Sequence, residues 1–202
     1  MTMCKSFSFS RLRLIVPGFL ILAVSQFTFA ATFDEQALID KLKKGGAVLL
    51  IRHALAPGIG DPQEFDVNDC STQRNLNDEG REQARAIGQW LRKRGINNVK
   101  VYSSQWCRCP ETARLMNLGS VTPLPALNSF FERPQDREPN LAMLRQFIRD
   151  NSKPGELIIM VTHQVTISGI TDQWTDSGHG KLVRVDSTGA IRLLGELEFN
   201  QE

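Results

Sequence analysis

The sequence predicts an α/β fold: a mainly parallel sheet with helices on both faces and an antiparallel hairpin at its C-terminal edge. Three features point there. Gly46-Ala-Val-Leu-Leu-Ile-Arg-His-Ala54 and Leu157-Ile-Ile-Met-Val-Thr-His163 are short apolar runs suited to strands buried on both faces. Amphipathic stretches of helical period stand between them. Two strand-like segments joined by Asp186-Ser-Thr-Gly189 close the chain as a hairpin. Of the three histidines in 202 residues, His53 and His163 end the two apolar runs. Open α/β sheets bind ligands outside the carboxyl ends of their strands.

Taken in order, Phe33 to Lys44 places Ala37, Leu38 and Leu42 on one face of a first helix. Gly45-Gly46 breaks it and releases the first strand. Ala54 to Thr72 holds Pro57, Gly58, Gly60 and Pro62 without periodicity, a loop long enough to be functional. Asn77 caps the next helix, whose buried stripe is Ala84, Ile87, Gly88 and Leu91 and whose end is Gly95. Val99 to Tyr102 is a short strand, and Glu111 to Leu118 the helix after it, with Pro110 at an early position. Thr122 to Pro139 reads as a proline-punctuated loop. Leu141 to Arg149 forms a third core-facing helix, and Val165 to Trp174 a helix behind the second apolar strand. Lys181 to Val185 and Ala190 to Phe199 form the hairpin.

The first thirty residues read as a leader. Lys5, Arg11 and Arg13 precede an apolar stretch from Leu14 to Val24, and Thr28-Phe29-Ala30 offers small residues for cleavage near Ala30. The apolar stretch is shorter than the roughly 20 residues of a spanning helix. An exported protein, periplasmic in a bacterial cell, with a single domain over residues 31–202 and no stable membrane span after cleavage, is therefore expected. Three of the 24 basic residues and none of the 22 acidic ones lie in the leader, so the remainder is close to neutral. No basic field suggests nucleic acid.

An oxidising compartment favours one disulfide among Cys70, Cys107 and Cys109. Side chains two apart point away from each other, so Cys70 pairs with Cys107 or with Cys109. No C-x-x-C occurs and both well-placed histidines have other work, which argues against a metal site.

If the strands are parallel neighbours, Arg52, His53, Arg108 and His163 converge on one spot. Guanidinium groups bind tetrahedral oxyanions in bidentate fashion, and an imidazole can serve as nucleophile. Backbone N–H groups at the start of the helix after His163, beginning with Gln164, would add donors. Together these describe a phosphoryl-transfer pocket.

At this point the chain resembles the histidine phosphatase superfamily, the phosphoglycerate mutase-like phosphatases. The matching words are Leu50-Ile-Arg-His-Ala54, Leu76-Asn-Asp-Glu-Gly-Arg-Glu-Gln-Ala84, Tyr102-Ser-Ser-Gln-Trp-Cys-Arg108 with Glu111-Thr-Ala113, and Val161-Thr-His163, in the family's order. The resemblance implies that His53 attacks phosphorus, that Arg52, Arg108 and His163 bind the transferred group, and that water then releases phosphate. It implies a small phosphorylated substrate and neither metal nor organic cofactor. Two departures stand out. Ala54 replaces the family's glycine after the histidine, which would narrow the mouth of the pocket. Leu127-Asn128-Ser129 lacks the acid of the family's L-x-E sequence, which leaves Glu132 as first candidate for proton donor and Asp66 and Asp69 as alternatives.

The blander readings assign Trp90, Trp106, Phe130 and Phe131 to packing, Glu111 to a helix first turn and His179 to a loop; the alternatives are that Phe130 or Phe131 shapes a leaving-group pocket and that His179 lines the rim. The rival function is a non-catalytic protein that binds a phosphorylated or other anionic ligand on the same fold. Phosphohistidine phosphatase activity fits the size but not export. The sequence selects neither a substrate nor an oligomeric state; the segments Ala54 to Thr72 and Thr122 to Pro139 would set specificity.

Overall fold

The computed structural model describes Met1, residues 34–97 and residues 99–199. Residues 2–30 of the expected leader, with the cleavage point near Ala30, lie outside the described residues. From residue 34 the order is α1 (Glu35–Lys43), β1 (Ala47–Arg52), α2 (Asp78–Lys93), β2 (Lys100–Ser103), α3 (Arg108–Met116), β3 (Val121–Pro123), α4 (Arg137–Asn151), β4 (Ile158–Thr162), α5 (Gln164–Thr171), β5 (Gly180–Val185) and β6 (Ile191–Leu197).

The six strands form one sheet in the order β3-β2-β4-β1-β5-β6. Strands β1 to β4 are parallel, and β5 and β6 run antiparallel as the edge hairpin. The predicted α/β fold with its C-terminal hairpin is what the chain adopts. Strand β4 returns between β2 and β1, so His53 and His163 leave adjacent strands, with Arg52 opposite Thr162. Arg108 arrives from the far side of β4, as the first residue of α3 rather than in the turn after β2.

Strand alternation sorts the apolar runs onto two faces. Leu49, Ile51, Ile159 and Val161 pack under α1, α2 and α3, together with Ile87, Leu91, Ala113 and Met116. Val48, Leu50, Ile158 and Met160 pack under α4 and α5, with Leu144, Ile148 and Ile167. Both faces being covered is why these runs carry no polar alternation. Each fully buried aliphatic side chain there contributes about 1.5–3 kcal/mol.

Helix α2 starts on Asn77, whose side chain accepts the Gly80 N–H at 2.8 Å, and it ends at Gly95 in the left-handed region, φ 78°. Gly80 is required for another reason: a Cβ there would stand 2.0 Å from the Leu55 carbonyl oxygen. The helix thereby presses the segment after His53 against the sheet.

Helix α3 begins three residues before the expected Glu111, α5 ends at Thr171 and leaves Trp174 outside the expected helix, and two further elements differ from the sequence reading. Residues 121–123 form a short edge strand across the start of the expected loop, where a proline is tolerated because an edge does not need every N–H. Helix α4 starts at Arg137 and includes Pro139, since the first turn of a helix has no intrahelical use for the missing N–H.

Candidate active site

A cleft of about 330 Å³ opens at the carboxyl ends of β1 and β4. Arg52, His53, Arg108 and His163, the four residues expected to converge, all line it, as do Gln164 and Glu132. The rings of His53 and His163 meet edge to face with centroids 5.5 Å apart.

His53 is buried. Its Nδ1 is 2.8 Å from the Ala54 carbonyl oxygen. A carbonyl only accepts, so the neutral ring carries its proton on Nδ1 and keeps its lone pair on Nε2. Burial, and then the charge of Arg108, pull the His53 pKa down to about 3. His163 is likewise driven well below the usual histidine range by burial and by Arg108. Both rings are therefore neutral at physiological pH, and His53 is a ready nucleophile. His163 Nε2 lies 2.9 Å from Ser104 Oγ and 3.5 Å from the Cys109 thiol. Burial holds that thiol up at about 12, so it stays protonated and inert.

The words that carry the family resemblance acquire physical roles. Thr112 Oγ1 accepts the Ala54 N–H at 3.1 Å and donates to the Arg108 carbonyl, tying the end of β1 to α3. Gln83 accepts the Leu55 N–H and donates to the Ser177 carbonyl, bridging two loops beside the site. Ala54 does not narrow the mouth of the pocket; it is fully buried against Ala56, Leu76 and Ala84.

Two functional residues escaped the sequence reading, Asp61 and Arg74. Asp61 forms a bidentate pair with Arg108, Nη1 to Oδ1 at 2.8 Å and Nη2 to Oδ2 at 3.1 Å. The two side chains are only 3% and 5% exposed, Arg108 and Asp61 respectively. Asp61 also accepts from the Trp106 indole and the Arg74 backbone N–H. Burial by itself would raise the Asp61 pKa, but Arg108 and Arg74 outweigh it and hold the carboxylate below its ordinary value. Arg74 donates to the carbonyls of Ala56 and Gly60, folding the segment that carries Asp61 over the cleft. The only sequence signals were a charge in an aperiodic loop and an arginine just before a helix cap.

The donors of Arg108 can be counted. Its Nη1 also donates to the Arg74 carbonyl at 3.1 Å. Three of its five N–H groups are thus engaged, and the two that remain, on Nε and Nη2, form one side-on fork. Nε is buried without a partner, and so is Nε of Arg52. Buried guanidinium donors left open in this way are set to receive an anion. Arg52 is held at its other end by the Thr175 carbonyl at 3.0 Å. Helix α5 begins directly after His163, and no side chain caps its first N–H groups.

The remaining expectations separate cleanly. Glu132 lines the cleft, and its Oε1 accepts the Asp61 N–H at 3.0 Å. Asp66 and Asp69 do not line it: their carboxylates fold back onto Asn68 and Ser71 within the loop, which removes them as proton donors. Ser129 is at the cleft wall with no carboxyl to offer. Trp106, assigned to packing by sequence, lines the cleft, as does Phe131, the one of the Phe130–Phe131 pair that takes the alternative pocket role, whereas Trp90 packs on Phe199 as expected. His179 lies off the cleft, 3.8 Å from Glu196. Glu111 pairs with Arg81 at 2.7 Å. Cys70 is bonded to Cys107, and Cys109 is free. Among the described residues no cluster of three or more His, Cys, Asp or Glu side chains could hold a metal, and no helix is long and apolar enough to cross a membrane.

Comparison with known proteins agrees with this geometry. Residues 48–137 match the model of the histidine phosphatase superfamily, branch 1. A stretch of 74 residues is 36% identical to the mitochondrial serine/threonine-protein phosphatase Pgam5 of Drosophila grimshawi; it is 37% of this chain and 23% of that relative, so the chain spans under a quarter of it. The solved structure of the protein histidine phosphatase SixA complexed with tungstate superposes with a TM-score of 0.55 at 16% identity, over 76% of this chain and 97% of that one. A phosphoserine phosphatase in complex with 3-phosphoglyceric acid, from Entamoeba histolytica, gives 0.55 at 14%, over 76% and 98%. At these identities the solved structures share the fold.

Proposed function

We propose, for a chain that belongs to the histidine phosphatase superfamily, that it hydrolyses phosphomonoesters through a phosphohistidine formed on His53. The observation that carries the reading is the buried, neutral His53, its Nδ1 held by the Ala54 carbonyl, lining one cleft with Arg52 and Arg108, each of which keeps a buried Nε donor without a partner.

In the first step Nε2 of His53 attacks phosphorus and the bond to the leaving oxygen breaks. Arg52, His163 and the Nε–Nη2 edge of Arg108 hold the equatorial oxygens as charge spreads over them. Asp61 orients Arg108 by occupying its other edge. Glu132, with one carboxylate oxygen on the Asp61 N–H and the other unassigned to it, is the group we place as proton donor to the departing oxygen. In the second step water attacks phosphorus, the P–N bond breaks, and the proton passes to Glu132 or to solvent. No step uses a metal or an organic cofactor. That a related fold has been solved with the oxyanion tungstate supports tungstate as a probe of this pocket.

We also place the protein outside the cytoplasm. The basic, apolar and small-residue pattern of residues 1–30 supports this, and so does the Cys70–Cys107 disulfide, which an oxidising compartment would maintain. Fractionation followed by N-terminal sequencing should find a product starting near Ala31; an intact N-terminus in the cytoplasm would refute the assignment.

The test of activity is release of p-nitrophenol from p-nitrophenyl phosphate by the full chain with a chelator present, beside His53→Ala. Activity should fall by more than about 10³-fold in the variant, and the wild type should trap an acid-labile phosphoryl label that the variant lacks. A folded protein that binds tungstate but turns over nothing would favour the non-catalytic anion-binding reading instead.

A further inference from the structure

Among the described residues beyond Met1, four large apolar side chains are markedly exposed: Ile59 at 89%, Trp174 at 63%, Phe131 at 56% and Met143 at 51%. All but Met143 edge the cleft. Apolar surface gathered at the mouth of one polar pocket marks a binding face rather than random exposure. Deeper in the cleft, Phe65 and Trp106 stack with centroids 4.9 Å apart and planes 23° from parallel, forming one wall.

Several polar groups of that rim are engaged within the protein, while the Arg133 guanidinium lies 5.5 Å over the Phe65 ring. Gln164 Nε2 donates to Ser168 Oγ at 2.8 Å, and Ser129 Oγ accepts the Phe131 N–H at 3.2 Å. The indole N–H groups of Trp174 and Trp106 go to Asp176 and Asp61. Above the phosphate position the walls therefore offer mainly ring faces and an isoleucine, with Arg133 as the charged donor beside the Phe65 ring.

The supply of protons is limited too. Of the two carboxyl groups in the cleft, Asp61 is paired with Arg108 and kept ionised, and Glu132 has one oxygen held by the Asp61 N–H. A phenol, with a pKa of about 10, departs with less help from an acid than an alkyl alcohol does.

Resting on the phosphatase reading, we propose that the cleft selects aryl phosphomonoesters, whose phenolic leaving group lies between Phe131, Trp174, Ile59 and the Phe65–Trp106 wall. The bond broken is that between phosphorus and the phenolic oxygen, and phosphorus passes to His53 Nε2 as before.

The test has a binding arm and a turnover arm, both on the full chain. Calorimetry with phenylphosphonate and methylphosphonate needs no chemistry: phenylphosphonate should bind at least tenfold tighter. Phe131→Ala and Trp174→Ala should each reduce that ratio to below threefold. A wild-type ratio under threefold, or a ratio that neither substitution moves, would overturn the proposal. In turnover, 2-naphthyl phosphate should exceed phenyl phosphate in kcat/KM, through KM, because the two leaving groups are of similar acidity and differ in ring area. Glycerol phosphate should be at least 100-fold poorer than either, and a faster rate with glycerol phosphate would overturn the proposal. No turnover of any ester with the phosphonate preference intact would support the ring pocket and overturn the phosphatase reading alone.

Discussion

Asp61→Asn is the substitution that most directly probes the site. The Asp61–Arg108 pair is almost wholly excluded from water and makes two charge-assisted hydrogen bonds. Removing one partner of a buried pair leaves an uncompensated charge and costs about 3–5 kcal/mol. Asparagine keeps one acceptor for Arg108 Nη1 but turns an N–H₂ toward Nη2, so the lower end, about 3 kcal/mol, applies. At about 2–4 °C of melting temperature per kcal/mol for a chain of this size, the midpoint should fall by about 6–12 °C. Because Asp61 holds the edge of Arg108 that does not meet phosphate, its loss should also let the guanidinium turn. Tungstate should then bind about tenfold more weakly, and kcat should fall by ~10²-fold, the usual penalty for a misplaced binding group. Asp61→Glu should recover part of the affinity. Thermal melts and competitive inhibition of p-nitrophenyl phosphate hydrolysis read both effects. Tighter tungstate binding in Asp61→Asn would refute the reasoning, since it would mean that the carboxylate competes for the anion site instead of orienting Arg108. An unchanged melting temperature would refute the energetic part.

Three other outcomes follow from the same structure. Gly80→Ala puts a methyl group against the Leu55 carbonyl and should destabilise the protein by about 1–3 kcal/mol, measured by urea unfolding, with the loop after His53 displaced. His53 and His163 are buried neutral, with folded pKa values below the unfolded value of about 6.5. The unfolded chain thus binds more protons between about pH 6.5 and pH 3, and stability should fall as pH drops through that window, less steeply in His53→Gln; a flat profile would contradict the burial argument. Reducing the Cys70–Cys107 bond, which closes a loop of sequence separation 37, should cost about 4 kcal/mol on the chain-entropy account. A Cys70→Ser/Cys107→Ser double variant should melt at the reduced protein's temperature, while Cys109→Ala should still show the full response to reductant.

What the sequence determined by itself is local. The apolar runs of β1 and β4 announced strands covered on both faces, and each ended on the histidine that the cleft uses. The cap at Asn77 and the closing hairpin were legible because each is specified by residues a few positions apart, through periodicity, capping and turn chemistry. Only the tertiary structure decided that β4 returns between β1 and β2, which brings His163 beside His53. It alone revealed Asp61 and Arg74, moved Trp106 from packing to the cleft wall, and decided which of Phe130 and Phe131 lines the cleft. The edge strand β3 stayed hidden because three residues with a proline carry no period to read. The physical reason is range. Asp61 meets Arg108 across 47 residues, and Arg108 meets the Arg74 carbonyl across 34. Asp61 and Arg74 come from aperiodic chain, where no local pattern states which face is inward. Their placement follows from the sheet order, the disulfide and the folded loop that Arg74 holds over the pocket.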